Sequence, residues 1–109
     1  MEQQELVLCA ASAYEKKFYL NQEFFGLPQD VKDELKIMCV LFTEDVGGIL
    51  EMVYGEEGEL SFRTSCDEGD YLYDEIGSVL KVKELQREKT ELLESLQMYY
   101  RVFILGEFE

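Results

Sequence analysis

The sequence predicts an α+β domain: an antiparallel four-stranded sheet in ββαββα order, helices on one face, and a long C-terminal helix. Three observations carry this. Two strand-like runs flank Gly55-Glu56-Glu57-Gly58. An amphipathic run extends from the only proline, Pro28, to Gly47-Gly48. A three-four apolar spacing then fills the last third of the chain. At 109 residues and 47% hydrophobic content the chain is one domain with a single modest core, 1–109.

Residues 5–11 form an apolar run after their first residue, Glu5, and Phe18 and Leu20 then alternate with Lys17 and Tyr19. Two strands joined by a tight turn near Ser12-Ala13 fit this pattern, although neither Gly nor Asn marks the turn. A helix over 4–17 competes, because Leu6, Cys9, Ala10, Ala13 and Lys17 also share a helical stripe.

The next element is a helix that starts at Pro28, whose missing N–H costs nothing in a first turn. Asp30, Asp33 and Glu34 sit near its start, where carboxylates favour the helix dipole. Val31, Leu35, Met38, Cys39, Phe42 and Val46 define its buried face, and Ile37, Val40 and Leu41 widen it beyond one side. Gly47-Gly48 ends it.

Ile49–Tyr54 and Glu59–Thr64 form a hairpin around the glycine-rich turn. Leu60 and Phe62 face one way and Glu59, Ser61 and Arg63 the other, so one side is buried and one is wet. The last helix spans about Asp70 to Leu105. Tyr71, Leu72, Ile76 and Val79 start its stripe, and Val82, Leu85, Lys89, Leu92, Leu96, Tyr99 and Phe103 continue it at heptad spacing. The register slips between Val79 and Val82, just after Gly77-Ser78, which predicts a kink or break there.

Charge narrows the function. The chain has 24 acidic and 10 basic residues, a net charge of −14, and no histidine. An acidic surface repels phosphate backbones and anionic bilayers, so neither nucleic acid nor membrane is an expected partner. Without histidine there is no imidazole base and no imidazole ligand. Cys9, Cys39 and Cys66 are an odd, widely spaced set, which predicts reduced thiols rather than a disulfide framework or a thiolate metal cluster. Cys39 reads as a small buried hydrophobe and Cys66 as an exposed loop thiol. The run Leu6–Ala13 lacks the preceding positive charge of a signal peptide, so a cytoplasmic location is expected.

No candidate site is strong. Between Glu44 and Glu75 lie eleven acids and one base, Arg63. Asp67, Glu68, Asp70, Asp74 and Glu75 lack the offsets of a calcium-binding loop and suit a solvated loop and a helix start. Lys81, Lys83, Arg87 and Lys89 form a basic island that Glu84 and Glu91 partly pair. No phosphate-cradling glycine pattern occurs. No catalytic, cofactor-binding or metal-ligating residue is therefore expected. The segment Met98–Leu105 is apolar all round its helix, more than one domain face can cover. Leu85, Leu92, Leu96, Tyr99, Tyr100, Val102, Phe103 and Ile104 are the expected interface of a homodimer.

Leu27–Gly48 (LPQDVKDELKIMCVLFTEDVGG), Leu72–Phe103 (LYDEIGSVLKVKELQREKTELLESLQMYYRVF) and Leu8–Leu20 together resemble a family of short, acidic proteins without assigned function from clostridia-type Firmicutes. The resemblance covers nearly the whole chain and implies a bacterial cytoplasmic protein, but it brings no activity or ligand. In size, acidity and element order alone the chain is similar to bacterial secretion chaperones and roadblock-type dimeric modules. The function expected is a non-catalytic protein–protein interaction or scaffold module. The alternative is a small acidic chaperone or regulator holding a basic client protein on the Glu44–Glu75 surface.

Overall fold

A computed structural model describes residues 5–107. The elements are β1 (Leu6–Ser12), β2 (Lys17–Leu20), a 3-10 turn at Gln22–Phe24, α1 (Gln29–Val46), β3 (Ile49–Tyr54), β4 (Leu60–Ser65), α2 (Glu75–Glu88) and α3 (Thr90–Phe103). One antiparallel sheet has the order β2-β1-β3-β4.

Residues 5–20 form a hairpin, not a helix. Ser12 pairs with Lys17 and Ala11 with Phe18 across the four-residue turn Ala13–Lys16. Lys16 closes that turn at φ 55°, the left-handed region that glycine or asparagine would otherwise fill. Lys16→Gly should therefore stabilise the chain, by up to about 1 kcal/mol once the glycine's extra unfolded-state entropy is subtracted. An unchanged or lower urea midpoint for this variant would contradict that reading of the turn.

β1 lies between β2 and β3, which explains its continuous apolar composition. Its register shifts between Val7 and Cys9, so Leu8 and Cys9 are both fully buried. Asn21 secures the far end of this hairpin: its amide donates to Val7 O at 2.8 Å and its N–H to Leu8 O at 3.0 Å. Asn21 Oδ1 also accepts from Glu23 N, which turns the chain so that Phe24 enters the core.

In α1, Pro28 occupies the N-cap position and Gly47, at φ 84°, the C-cap. Leu35, Met38, Cys39, Phe42 and Val46 are buried as their spacing requires. Ile37 and Leu41, expected to extend the buried stripe, are exposed instead. In the second hairpin Tyr54 pairs with Leu60 and Met52 with Phe62. Cys9, Ala11, Leu50, Met52 and Tyr54 then share one sheet face with the partly buried Phe18, Leu20, Leu60 and Phe62. The helices' buried side chains join the same cluster. Across it α1 packs on β1, β2 and β3, and α3 on β4.

The C-terminal third departs from expectation. The order is ββαββαα, because no single long helix runs from Asp70 to Leu105. Residues 70–74 are loop and turn, α2 begins only at Glu75, and the helix breaks at Lys89 (φ −108°, ψ 28°). The kink expected at Gly77-Ser78 is absent: Gly77 lies in the first turn of α2, where its N–H donates to the capping Asp74 carboxylate at 2.8 Å. The three-four stripe survives because the bend keeps both helices on the core, with Leu85 and Leu92 buried on either side of it.

α3 is fixed to the sheet by aromatic stacking and two hydrogen bonds. Tyr54 lies between Phe24 (ring centroids 5.5 Å) and Tyr100 (4.3 Å), and its hydroxyl donates to Leu96 O at 2.8 Å. Gln97 Oε1 accepts from Leu60 N at 2.9 Å. Burial pushes the Tyr54 phenol well above its ordinary pKa, so it stays a neutral donor.

Candidate functional site

Each reactive side chain has a local explanation. Cys9 and Cys39 are fully buried with their sulfurs 3.8 Å apart, and Cys39 also touches Met52 Sδ at 3.8 Å. The contact with Cys39, and burial after it, raise the Cys9 thiol well above its ordinary pKa, so it is not poised as a nucleophile. Cys66 is exposed in the loop after β4. On the sheet's outer face Arg63 pairs with Glu5 at 3.0 Å and Glu51 at 3.1 Å. Among the described residues no three Cys, Asp or Glu side chains gather as a metal site needs. Nor, among them, is any helix long and apolar enough to cross a membrane.

Two of the acids after β4, Asp70 and Asp74, serve as fasteners. The Tyr14 hydroxyl, from the first hairpin turn, donates to Asp70 and accepts from Asp67 N at 2.9 Å. Asp70 Oδ1 accepts from Leu72 N at 2.9 Å. Asp74 N donates to Val46 O at 2.9 Å, and its carboxylate caps α2. Tyr73 turns inward over Gly48, and its hydroxyl reaches the buried Ser78 Oγ at 2.9 Å. Tyr71 and Leu72 project outward between these anchors.

That geometry displays apolar side chains. Tyr71 is 96% exposed, Leu72 92%, Ile76 75%, Leu80 62% and Val79 52%. Ile76, Val79 and Leu80 share the outer side of α2, and Tyr71 and Leu72 stand on the loop that leads into it, a strip in chain order. Soluble monomers seldom leave contiguous apolar patches of more than a few hundred Å² in water. A loop pinned at Asp67, Asp70, Tyr73 and Asp74 also gives such a surface little freedom to fold away.

The tether responds to pH with a sign that follows from its partners. The Tyr14 hydrogen bond, and the Leu72 N–H after it, hold the Asp70 carboxyl below its ordinary pKa. Its contribution to stability is thus full above the ordinary carboxylate value and is lost as pH falls through the lowered one. The hydrogen bond to Asp70 raises Tyr14. The Tyr14 contribution is full below the ordinary phenol value and is lost as pH rises through the raised one. Tyr14→Phe should lower the exchange protection of the Asp67 amide across neutral pH, while acid lowers that of Leu72 in the parent chain. Unchanged Asp67 protection in Tyr14→Phe would contradict the tether.

The residues expected to form an interface differ in burial. Leu85, Leu92, Leu96 and Tyr100 belong to the chain's own buried core, so they offer no surface to a second copy. Tyr99, Val102 and Ile104 are half-buried. Phe103 is exposed, with its ring 4.7 Å from that of Tyr99. Met98 and Leu105 are exposed as well, but the most exposed apolar side chains lie one helix earlier. Tyr71, Leu72, Ile76 and Val79, expected at the start of the buried stripe, are the ones in water, together with Leu80. One signal pointed there: Ile76 and Leu80 lie outside the stripe through Val82 and Leu85, so α2 has more apolar residues than one core-facing side can use.

Beside the strip, α1 and α2 enclose a groove of about 470 Å³. Ile37, Leu41 and Leu85 line its apolar part, and Asp30, Asp33 and Glu88 stand on its rim. Its two lysines are already engaged: Lys81 meets Asp45 at 3.2 Å and Glu84 at 3.7 Å, and Lys89 meets Glu34 at 3.1 Å. Asp45 chiefly, with Glu84, raises the Lys81 ammonium above its ordinary pKa. The basic island is thereby divided. Lys81 and Lys89 turn toward α1, while Lys83 and Arg87 make no ion pair among the described residues.

The profile of a family of unknown function, DUF6145, matches residues 5–108. No curated protein and no solved structure matches the chain.

Proposed function

We propose, for a chain that belongs to the DUF6145 family of unknown function, a non-catalytic protein–protein interaction module with a scaffold role. The observation that carries this reading is the strip from Tyr71 to Leu80, held out by a loop fastened on both sides of it. A side chain left in water at nearly full exposure gains most from a protein surface that covers it. The absence of histidine and the structural use of Asp70 and Asp74 support a role without chemistry. The setting we assign is the bacterial cytoplasm, in clostridia-type organisms.

A photo-crosslinking residue at position 72 tests the reading directly. In the native host it should give covalent adducts with protein, whereas the same residue at position 44, exposed on α1, should give few. Equal yields at the two positions, or none at 72, would sink the proposal.

The groove between α1 and α2 favours a second reading, a small acidic chaperone or regulator that holds a basic client. Its apolar walls and acidic rim suit a basic amphipathic segment. Binding of such a client should weaken steeply between low and physiological salt. Capture that ignores both salt and charge reversal at Asp30 and Asp33 would count against it.

A further inference from the structure

The strip is bounded by charge of opposite sign at its two ends. Asp67 and Asp70 precede it and Asp74 and Glu75 lie in its first half; after it, along α2, come Lys83 and Arg87, with Glu84 and Glu88 beside them. Glu75, Val79, Lys83 and Arg87 follow one another at four-residue intervals and so lie along one side of the helix. Acid, apolar middle and base in that order make a surface complementary to itself after a half-turn. Such self-complementarity is what an isologous two-fold interface requires.

We infer that the outer side of α2, with Tyr71 and Leu72, binds a second copy of this chain, the two α2 helices crossing antiparallel. This rests on the interaction-module reading and names its partner. With Val79 on the two-fold axis, residues equally far before and after it oppose one another. Within the helices, Lys83 then meets the partner's Glu75. Each contact occurs twice. Ile76, Val79 and Leu80 close around the axis.

Charge and area both favour a second copy as the occupant. Lys83 and Arg87 make no ion pair within their own chain among the described residues, whereas Lys81 and Lys89 do. The five apolar side chains offer on the order of several hundred Å². With their charged rim they approach the roughly 800 Å² per partner of a standard interface. The net charge of −14 opposes association at long range, but at physiological salt its reach is only about 8 Å. The expected C-terminal seam cannot serve instead, since Leu85, Leu92 and Leu96 are already buried.

Sedimentation equilibrium of the full chain at tens of micromolar and physiological salt tests this. The parent chain should have twice the chain mass. Val79→Asp, at a half-exposed helix position, should be monomeric with an unchanged circular dichroism spectrum. Glu75→Lys and Lys83→Glu should each weaken association about tenfold, because each sets like charges opposite one another twice. The double variant should recover to within about threefold of the parent, a rescue that no general loss of folding would produce. A monomeric parent, a dimer that survives Val79→Asp, or charge variants that neither weaken nor rescue would overturn the inference. The position-72 crosslinks separate the two failures. Adducts only with other proteins, from a monomeric chain, would end the dimer and keep the interaction module.

Discussion

Tyr54→Ala should lower the unfolding free energy by about 3–5 kcal/mol, the range for removing a large buried aromatic side chain. Tyr54 is fully buried, stacks between Phe24 and Tyr100, and donates to Leu96 O. It therefore joins β3, the 3-10 turn and α3 through one side chain. The losses come from the ring's transfer to water and the void left between the two remaining aromatics. Small domains are stable by only about 5–15 kcal/mol, so this one change should leave the chain marginal at 37 °C. Tyr54→Phe separates the contributions. It keeps the stacking and removes the donor, and should cost only about 1–2 kcal/mol. Equal destabilisation by the two variants would mean that the hydroxyl, not the ring, fixes α3.

Gly48→Ala should cost about 2–4 kcal/mol, combining left-handed backbone strain with overpacking. Gly48 has φ 72°, and a Cβ there would lie 2.5 Å from Ser65 O and 2.8 Å from the Tyr73 ring. Ser65 O belongs to the strand paired with β3, so that side cannot give way without loss of register. Tyr73 could move, but only by releasing its hydrogen bond to Ser78. The effect should thus extend beyond stability: freeing Tyr73 loosens the loop that presents Tyr71 and Leu72. Alanine at Gly69, where a Cβ meets nothing within 4 Å, should cost less, because only its φ of 82° opposes the change. Similar losses at the two glycines would contradict the packing role assigned to Gly48.

These contacts also explain what was legible in the sequence. The Gly55–Gly58 turn and the limits of α1 at Pro28 and Gly47 depend on local backbone chemistry, which residue type reports directly. The break at Lys89 does not. A three-four stripe records which side of a helix is apolar, and a bend that keeps that side on the core leaves the spacing intact. Lys89 was the one polar residue in the stripe, and it reaches across to Glu34 on α1. Tyr71 and Leu72 imitate helical spacing, yet they lie in a loop because Tyr14 and Val46, remote in sequence, hold Asp67, Asp70 and Asp74. Tyr100 is surplus to its own helix face, and its partner, Tyr54, lies on β3. Which apolar residues of this last third are covered depends on such non-local contacts, and spacing along the chain does not report them.

The position of the contact surface is most directly tested by amide chemical shifts of the uniformly labelled chain through a dilution series. Concentration-dependent changes should be confined to residues 71–87 and should fade together as the chain is diluted. Shifts clustered at residues 96–104, or spectra that do not change with concentration, would contradict the exposed strip on α2 as the place where this chain meets its neighbour.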